Sequence, residues 1–131
     1  MLLKDRFHLK IYYEDTDLAG IVYYANYLKF IERARSEMFG NLNINQKKLF
    51  EGGKFFVVTD LRAKYLQPAC FGDDLVVITE LKKVKGASIL LNQEIYRSTE
   101  LLFQSSINLA LLRNNGKVTR IPANIRQLFE T

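Results

Sequence analysis

A chain of 131 residues can bury one core and is short for two, so a single domain over 1–131 is expected. Its 48% apolar and 25% charged residues, with no apolar run of spanning length, exclude a disordered chain and a transmembrane helix. The charge of +5 favours an anionic partner, but no arginine-rich arm or aromatic RNA-reading signature accompanies it, so nucleic acid is not expected.

Met1-Leu2-Leu3-Lys4-Asp5-Arg6 carries charge too early for a secretory leader, which points to the cytoplasm. Residues 7–13 read as a strand. His8, the only histidine, falls within it and is read as structural. The stretch 13–27 then places Asp15, Thr16, Asp17 and Gly20 just ahead of an apolar run. Residues 23–39 read as a helix, with Tyr27, Ile31, Ala34 and Met38 at helical spacing, Asn26 as an N-cap inside the run and Gly40 as the stop. A short second helix is expected over 44–51, closed by Gly52-Gly53.

Strands follow. The first covers 55–66 and ends before Pro68. The next covers 73–84, with Leu75, Val77, Thr79 and Leu81 on one side. Lys85-Gly86 signals a turn. Strands over 87–97 and 100–113 are joined by Ser98-Thr99, and Asn114-Asn115-Gly116-Lys117 ends the last. Pro122 starts a short helix through Phe129. Cys70, the only cysteine, excludes an intrachain disulfide and reads as a buried small hydrophobe. With one Cys and one His the chain cannot build a Cys/His zinc site, and no metal is expected. Strand, long helix and four strands in a meander predict an α+β fold, in which an antiparallel sheet must cover an apolar face with that one helix.

The 13–27 stretch also carries chemistry. A helix start offers unpaired N–H groups and a partial positive charge. A carboxylate beside such donors can attack, or activate water at, a carbonyl that the donors polarise. Asp17 is the candidate carboxylate, with a turn or cap aspartate as its structural alternative. Asp15 reads as a turn-stabilising side chain, and Thr16 as serving the same turn.

Three blocks carry a family resemblance: Asp15-Thr16-Asp17 with Gly20-Ile21-Val22-Tyr23 and Asn26-Tyr27; Glu32-Arg33-Ala34-Arg35-Ser36-Glu37; and Tyr65-Leu66-Gln67-Pro68-Ala69-Cys70-Phe71-Gly72-Asp73-Asp74-Leu75. Across nearly the whole chain the sequence resembles the 4-hydroxybenzoyl-CoA thioesterase family, and within it the YbgC-like acyl-CoA thioesterases. The resemblance implies a hotdog fold, a long helix wrapped by a five-stranded antiparallel sheet. It further implies a homo-oligomer, either a dimer paired edge to edge or a dimer of dimers (a homotetramer), with sites at the dimer interface. The implied activity is hydrolysis of acyl-CoA to acid and CoA.

On this resemblance Asp17 is the nucleophile or general base, the backbone N–H of Tyr24 at the helix start polarises the carbonyl, and Gly20 lets the loop turn. Many YbgC-like members have histidine where this chain has Tyr24, whereas tyrosine is familiar there in the 4-hydroxybenzoyl-CoA branch; the backbone donor survives the change. Tyr23, Asn26 and Tyr27 are implied substrate contacts. Tyr12, Tyr13, Phe55 and Phe56 are further candidates for an acyl pocket or for plain core. Lys64, Lys82, Lys83, Lys85 and Arg97 are candidate partners for the phosphates of CoA. CoA enters as part of the substrate, so no cofactor is expected. The alternative is a binding module for an acyl thioester or an acyl carrier protein. A hydratase-dehydratase needs a helix-associated histidine, and His8 lies in a strand.

Overall fold

The computed structural model describes residues 3–130; the first two positions and the last of the expected 1–131 domain lie outside the described residues. In chain order come β1 (Lys4–Lys10), a 3₁₀ turn (Tyr13–Asp15), α1 (Asn26–Asn41), α2 (Gln46–Glu51), β2 (Lys54–Tyr65), β3 (Asp74–Val84), β4 (Ser88–Arg97), β5 (Glu100–Arg113) and α3 (Ala123–Phe129). One five-stranded sheet forms in the order β1-β3-β4-β5-β2, with every neighbouring pair antiparallel. Along β3 and β4 one face alternates cleanly, with Leu75, Val77, Thr79 and Leu81, then Ile89, Leu91, Gln93 and Ile95, all buried. Against that face lies α1, which buries Tyr27, Phe30, Ile31, Ala34, Met38 and Phe39. This is the α+β hotdog arrangement, one long helix wrapped by an antiparallel sheet.

The expected four-strand meander holds only for β3, β4 and β5. Instead of pairing with β3, β2 pairs with β5 at the far edge of the sheet. Pro68 lies in the long connection from β2, which cannot close a tight hairpin. It crosses the end of the sheet over the start of α1 and enters β3 beside β1.

Several boundaries shift for local reasons. The strand predicted over 7–13 is displaced to Lys4–Lys10, because Asp15 and the 3₁₀ turn draw residues 12–15 away from the sheet. Gly40 does not stop α1. The helix runs to Asn41 and closes through Asn43, whose φ is +64°, with Asn43 N–H on Gly40 C=O at 3.0 Å and Ile44 N–H on Phe39 C=O at 2.9 Å. That is a Schellman closure with asparagine at the left-handed position, and buried Ile44 packs beyond it. Asn45 caps α2 by accepting Lys48 N–H, so this helix begins later than 44.

A polar layer crosses the otherwise apolar core. Gln93, fully buried, donates to Ile31 C=O at 2.8 Å and to Thr79 Oγ1 at 2.9 Å, and accepts from Arg35 Nη1 at 3.0 Å. Burial lowers the Arg35 pKa, and Glu32 opposes that shift. The layer fixes the register of α1 against β3 and β4, because a slide by one turn would strand each of these groups without water. Gln93→Ala should therefore destabilise the fold by about 2–4 kcal/mol in urea unfolding, through unsatisfied polar groups and a cavity. A loss below about 0.5 kcal/mol, the level of an ordinary surface change, would contradict this role.

Candidate active site

Two turns build the loop after β1. In the first, Asp15 Oδ2 accepts Tyr12 N–H at 2.8 Å and the Thr16 hydroxyl donates to Tyr13 C=O at 2.9 Å, so both side chains serve the turn as their sequence implies. The second is a tight hairpin over 16–22. Thr16 bridges Val22, Asp17 N–H donates to Ile21 C=O at 2.9 Å, and Gly20 N–H donates to Asp17 C=O at 3.0 Å. Gly20 sits at φ +78°, a left-handed conformation that side chains disfavour, so Asp first and Gly fourth is the pattern such a loop selects. Asp17 Oδ1 accepts Ala19 N–H at 2.9 Å. The other carboxylate oxygen has no partner among the described residues, and the side chain is exposed. One oxygen of the carboxylate therefore serves the turn and the other is left open.

The chain then runs into α1. Helical structure begins at Asn26, later than expected, with Ala25 at the cap; Asn26 does not cap the helix. A turn leads in, with Asn26 N–H on Tyr23 C=O at 2.9 Å and Tyr23 N–H on Asp15 C=O at 3.0 Å. The Asn26 side chain also donates to Asp15 C=O at 2.9 Å, tying the loop to the helix. Within this turn the N–H groups of Tyr24 and Ala25 have no acceptor among the described residues, at the positive end of a 16-residue helix. Tyr24 thus keeps the open donor that the family resemblance requires, two residues before α1. Exposed Tyr23 packs its ring against that of Tyr24, with centroids 5.0 Å apart.

Tyr27 is buried. Its hydroxyl accepts Ala69 N–H at 3.0 Å, and its ring stacks on Phe103 at 5.2 Å and 10°. Burial raises its pKa. Phe56 also joins the core, against Phe39 and Phe129.

The crossover between β2 and β3 clasps this loop. Val22 N–H donates to Ala69 C=O at 2.8 Å, Phe71 N–H donates to Gly20 C=O at 3.1 Å, and Ile21 bridges Cys70. Arg97 locks the clasp from β4. It binds Asp73 at 2.6 Å, Glu100 at 2.7 Å and Pro68 C=O at 3.3 Å, and Asp73 in turn accepts Cys70 N–H at 2.8 Å. The hydrogen bonds to Glu100 and then Asp73 raise the guanidinium pKa, so Arg97 is held as a clamp. Cys70, expected to be buried, is half-buried with its backbone engaged.

Two depressions open beside the loop. One is lined by Tyr13, Glu14, Thr16, Asp17, Leu18, Gly20 and Phe71. The other is lined by Ile21, Val22, Tyr24, Tyr27, Tyr65, Leu66, Gln67 and Pro68. Asp17 and Tyr24 thus stand on one hairpin-to-helix segment but line different depressions of the single chain. Lys64 lies at this end of the sheet, facing away from α1 in a polar groove with Arg62 and Gln104. Lys82, Lys83 and Lys85 do not join it. Lys82 and Lys83 follow Asp74 by eight and nine residues along β3, roughly 25–30 Å at strand rise, and Lys82 is paired with Glu80 at 2.8 Å.

The sequence singled out Tyr65 as part of a motif but assigned it no role. Its hydroxyl donates to Tyr24 C=O at 2.9 Å. No periodicity announces such a contact, since it joins residues 41 apart.

Residues 19–103 match the sequence model of the Thioesterase superfamily. The Acyl-CoA thioesterase YbgC of Haemophilus influenzae is 44% identical over 126 residues, covering 94% of this chain and 92% of its own. The Acyl-CoA thioester hydrolase YbgC of Escherichia coli O6:H1 is 36% identical over 101 residues, covering 77% and 75%. The crystal structure of a probable thioesterase from Bartonella henselae is 32% identical and superposes with a TM-score of 0.87, covering 92% of this chain and all of its own.

The bond to Ala19 N–H gives Asp17 a turn role that stability alone can test. Asp17→Asn keeps an acceptor at Oδ1 and should unfold within about 0.5 kcal/mol of wild type, whereas Asp17→Ala should lose about 1 kcal/mol, as for a lost side-chain cap. Equal losses in urea titrations of the two variants would show that Oδ1 does not hold the turn.

Proposed function

The chain belongs to the thioesterase superfamily, and from that membership we propose that it hydrolyses acyl-CoA thioesters to free acid and CoA at the junction of the 16–22 hairpin and α1. The observation that carries this reading is the unpaired, exposed oxygen of Asp17 on the same short segment as the open amides before α1. Acyl-CoA as the substrate class is supported by the YbgC relatives, which are acyl-CoA thioesterases.

In the first step the thioester carbonyl oxygen accepts Tyr24 N–H while negative charge develops on it. Fixed amide donors and the helix end need no reorganisation at that moment, and one such donor is worth ~10²–10³ in rate. Asp17 acts in one of two ways. As nucleophile, its oxygen bonds to the carbonyl carbon, the C–S bond breaks, CoA leaves as thiolate, and water then cleaves the mixed anhydride. As general base, it takes a proton from the water that attacks the carbonyl, and the same C–S bond breaks. In both routes Gly20 shapes the loop that presents the carboxylate. Tyr23 and Tyr27 border the acyl group, and Asn26 holds the loop against the helix.

A second copy completes the site in this reading. Edge strand β2 keeps one side unpaired within the chain and exposes Val58, Leu61 and Tyr65. Two-fold pairing along this edge reverses the second copy, so its Lys82–Lys85 end lies toward the Asp17 end of the first. That arrangement would bring cations toward the CoA phosphates that Lys82 and Lys83 of the same chain do not reach. The open, partly apolar β2 edge supports an oligomer, either a dimer or a dimer of dimers, as the functional unit. An acyl carrier protein is a further candidate thioester donor, its acidic surface matching a chain of charge +5. No resident cofactor enters the chemistry. No helix among the described residues is long and apolar enough to cross a membrane, and the proposed place of action is the cytoplasm.

Steady-state hydrolysis of a panel of short, long, benzoyl and 4-hydroxybenzoyl CoA esters tests this reading. Asp17→Asn should lower turnover by at least ~10² with the fold intact. Near-normal turnover would remove Asp17 from the chemistry, and wild-type binding without turnover would favour a binding module. Charge reversal of Lys82 and Lys83 together should mainly raise KM and weaken its salt dependence. An unchanged KM would exclude that patch from substrate binding.

A further inference from the structure

The two peptide groups around Tyr24 are held in a particular way. The carbonyl of Tyr23 is taken by Asn26 N–H at 2.9 Å, which fixes the plane carrying Tyr24 N–H. The carbonyl of Tyr24 belongs to the next plane, which carries Ala25 N–H. In a regular helix that carbonyl would accept the amide four residues on. Here Leu28 N–H turns instead to Ala25 C=O at 3.2 Å, and the donor to Tyr24 C=O among the described residues is the Tyr65 hydroxyl at 2.9 Å. Both carbonyls are anchored and both N–H groups are open.

Tyr65, although about half exposed, is a donor held by its ring contacts. It closes β2 opposite Phe103 of β5, and its ring packs edge-on against both Tyr27 and Phe103 with centroids 5.2 Å apart. Tyr24 lies edge-on to the same ring at 6.3 Å. Burial, and secondarily Tyr24, raises the hydroxyl pKa, so it keeps its proton. A hydrogen bond at a peptide carbonyl polarises the N–H of the same peptide through the amide resonance. It also opposes rotation of that peptide, which would turn the N–H away.

We propose that Tyr65 is a positioning residue for the hydrolytic site: its hydroxyl fixes the Tyr24–Ala25 peptide so that Ala25 N–H stands beside Tyr24 N–H as a second donor to the developing oxyanion. The inference rests on the thioesterase reading above. It adds a residue from β2 to a site otherwise built by the loop and α1, so that sheet and helix share control of the donors.

Tyr65→Phe removes only the hydroxyl and keeps the ring packing. The test compares wild type, Tyr65→Phe and Asp17→Asn in acyl-CoA hydrolysis, with amide hydrogen exchange at Tyr24 and Ala25 as an independent readout. Tyr65→Phe should lower kcat by about tenfold or more, since donors displaced by a fraction of an ångström lose much of their effect. KM should stay within about twofold, the signature of an interaction made in the transition state. Exchange at Ala25, an open amide that loses its polarisation and so becomes less acidic, should slow relative to Tyr24 while the melting temperature stays near wild type. Wild-type kcat in Tyr65→Phe, or a loss confined to KM or matched by a general loss of stability, overturns the proposal. If Asp17→Asn abolishes turnover and Tyr65→Phe does not alter it, this inference alone fails. If wild type shows no Asp17-dependent turnover, the thioesterase reading fails and the role of Tyr65 falls with it.

Discussion

Val22 N–H on Ala69 C=O, Phe71 N–H on Gly20 C=O and the Ile21–Cys70 bridge join two loops that arrive from opposite edges of the sheet. One follows β1. The other leaves β2 and must cross the end of the sheet to reach β3 beside β1. Past Gln67, whose N–H still reaches Leu102 C=O of β5, the crossover has no strand beside it, and backbone groups drawn from water need partners. Each loop supplies them for the other, and Arg97 holds the far side through Asp73, Glu100 and Pro68. Without this clasp the 16–22 hairpin would be tied to the helix only through Asp15, by Tyr23 and Asn26, and the Asp17 carboxylate would lose its fixed direction relative to the amides before α1. The strand order β1-β3-β4-β5-β2 is therefore the reason the site can be rigid, because it sends the crossover past the helix start.

Single residues here hold a turn and still leave a polar group open. One Asp17 oxygen closes a turn while the other stays open. The Asp15 carboxylate closes the preceding turn, and its carbonyl accepts both Tyr23 N–H and the Asn26 side chain. Below them the Gln93 layer fixes the register of α1 on the sheet, so the helix start cannot drift relative to the loop. Electrostatic stabilisation of a transition state depends on donors that are already in place. The succession of sheet, polar layer, helix and clasp meets that condition.

Much of this was legible in the sequence where local periodicity carried it. The alternation Leu75, Val77, Thr79, Leu81 and the helical spacing Tyr27, Ile31, Ala34, Met38 both mark the buried face. Asp17 and Gly20, three apart, carry the turn pattern that the hairpin uses. Gly40 misled because glycine is the commonest helix stop, whereas Asn43 could take the left-handed position two residues after the helix and did so. The meander failed for a different reason. No clean burial alternation marks β2 and nothing local says which strand it meets; its pairing with β5 joins residues about 40–60 apart in the chain. The same non-locality hid Tyr65 on Tyr24 C=O and the commitment of Arg97 to the clasp. Lys82 and Lys83 looked suitable by charge and strand-end position, and it is the direction of β3 that places them far from the loop.

A crystal structure of the Asp17→Asn protein with a bound acyl-CoA gives the most direct measurement of the central claim. The thioester oxygen should lie about 3 Å from the Tyr24 amide nitrogen, and the side chain at position 17 should lie within about 3–3.5 Å of the carbonyl carbon for the nucleophilic route, or one water away from it for the general-base route. A thioester seated elsewhere, or one whose carbonyl meets neither group, would contradict the assignment of this hairpin-to-helix junction as the hydrolytic site.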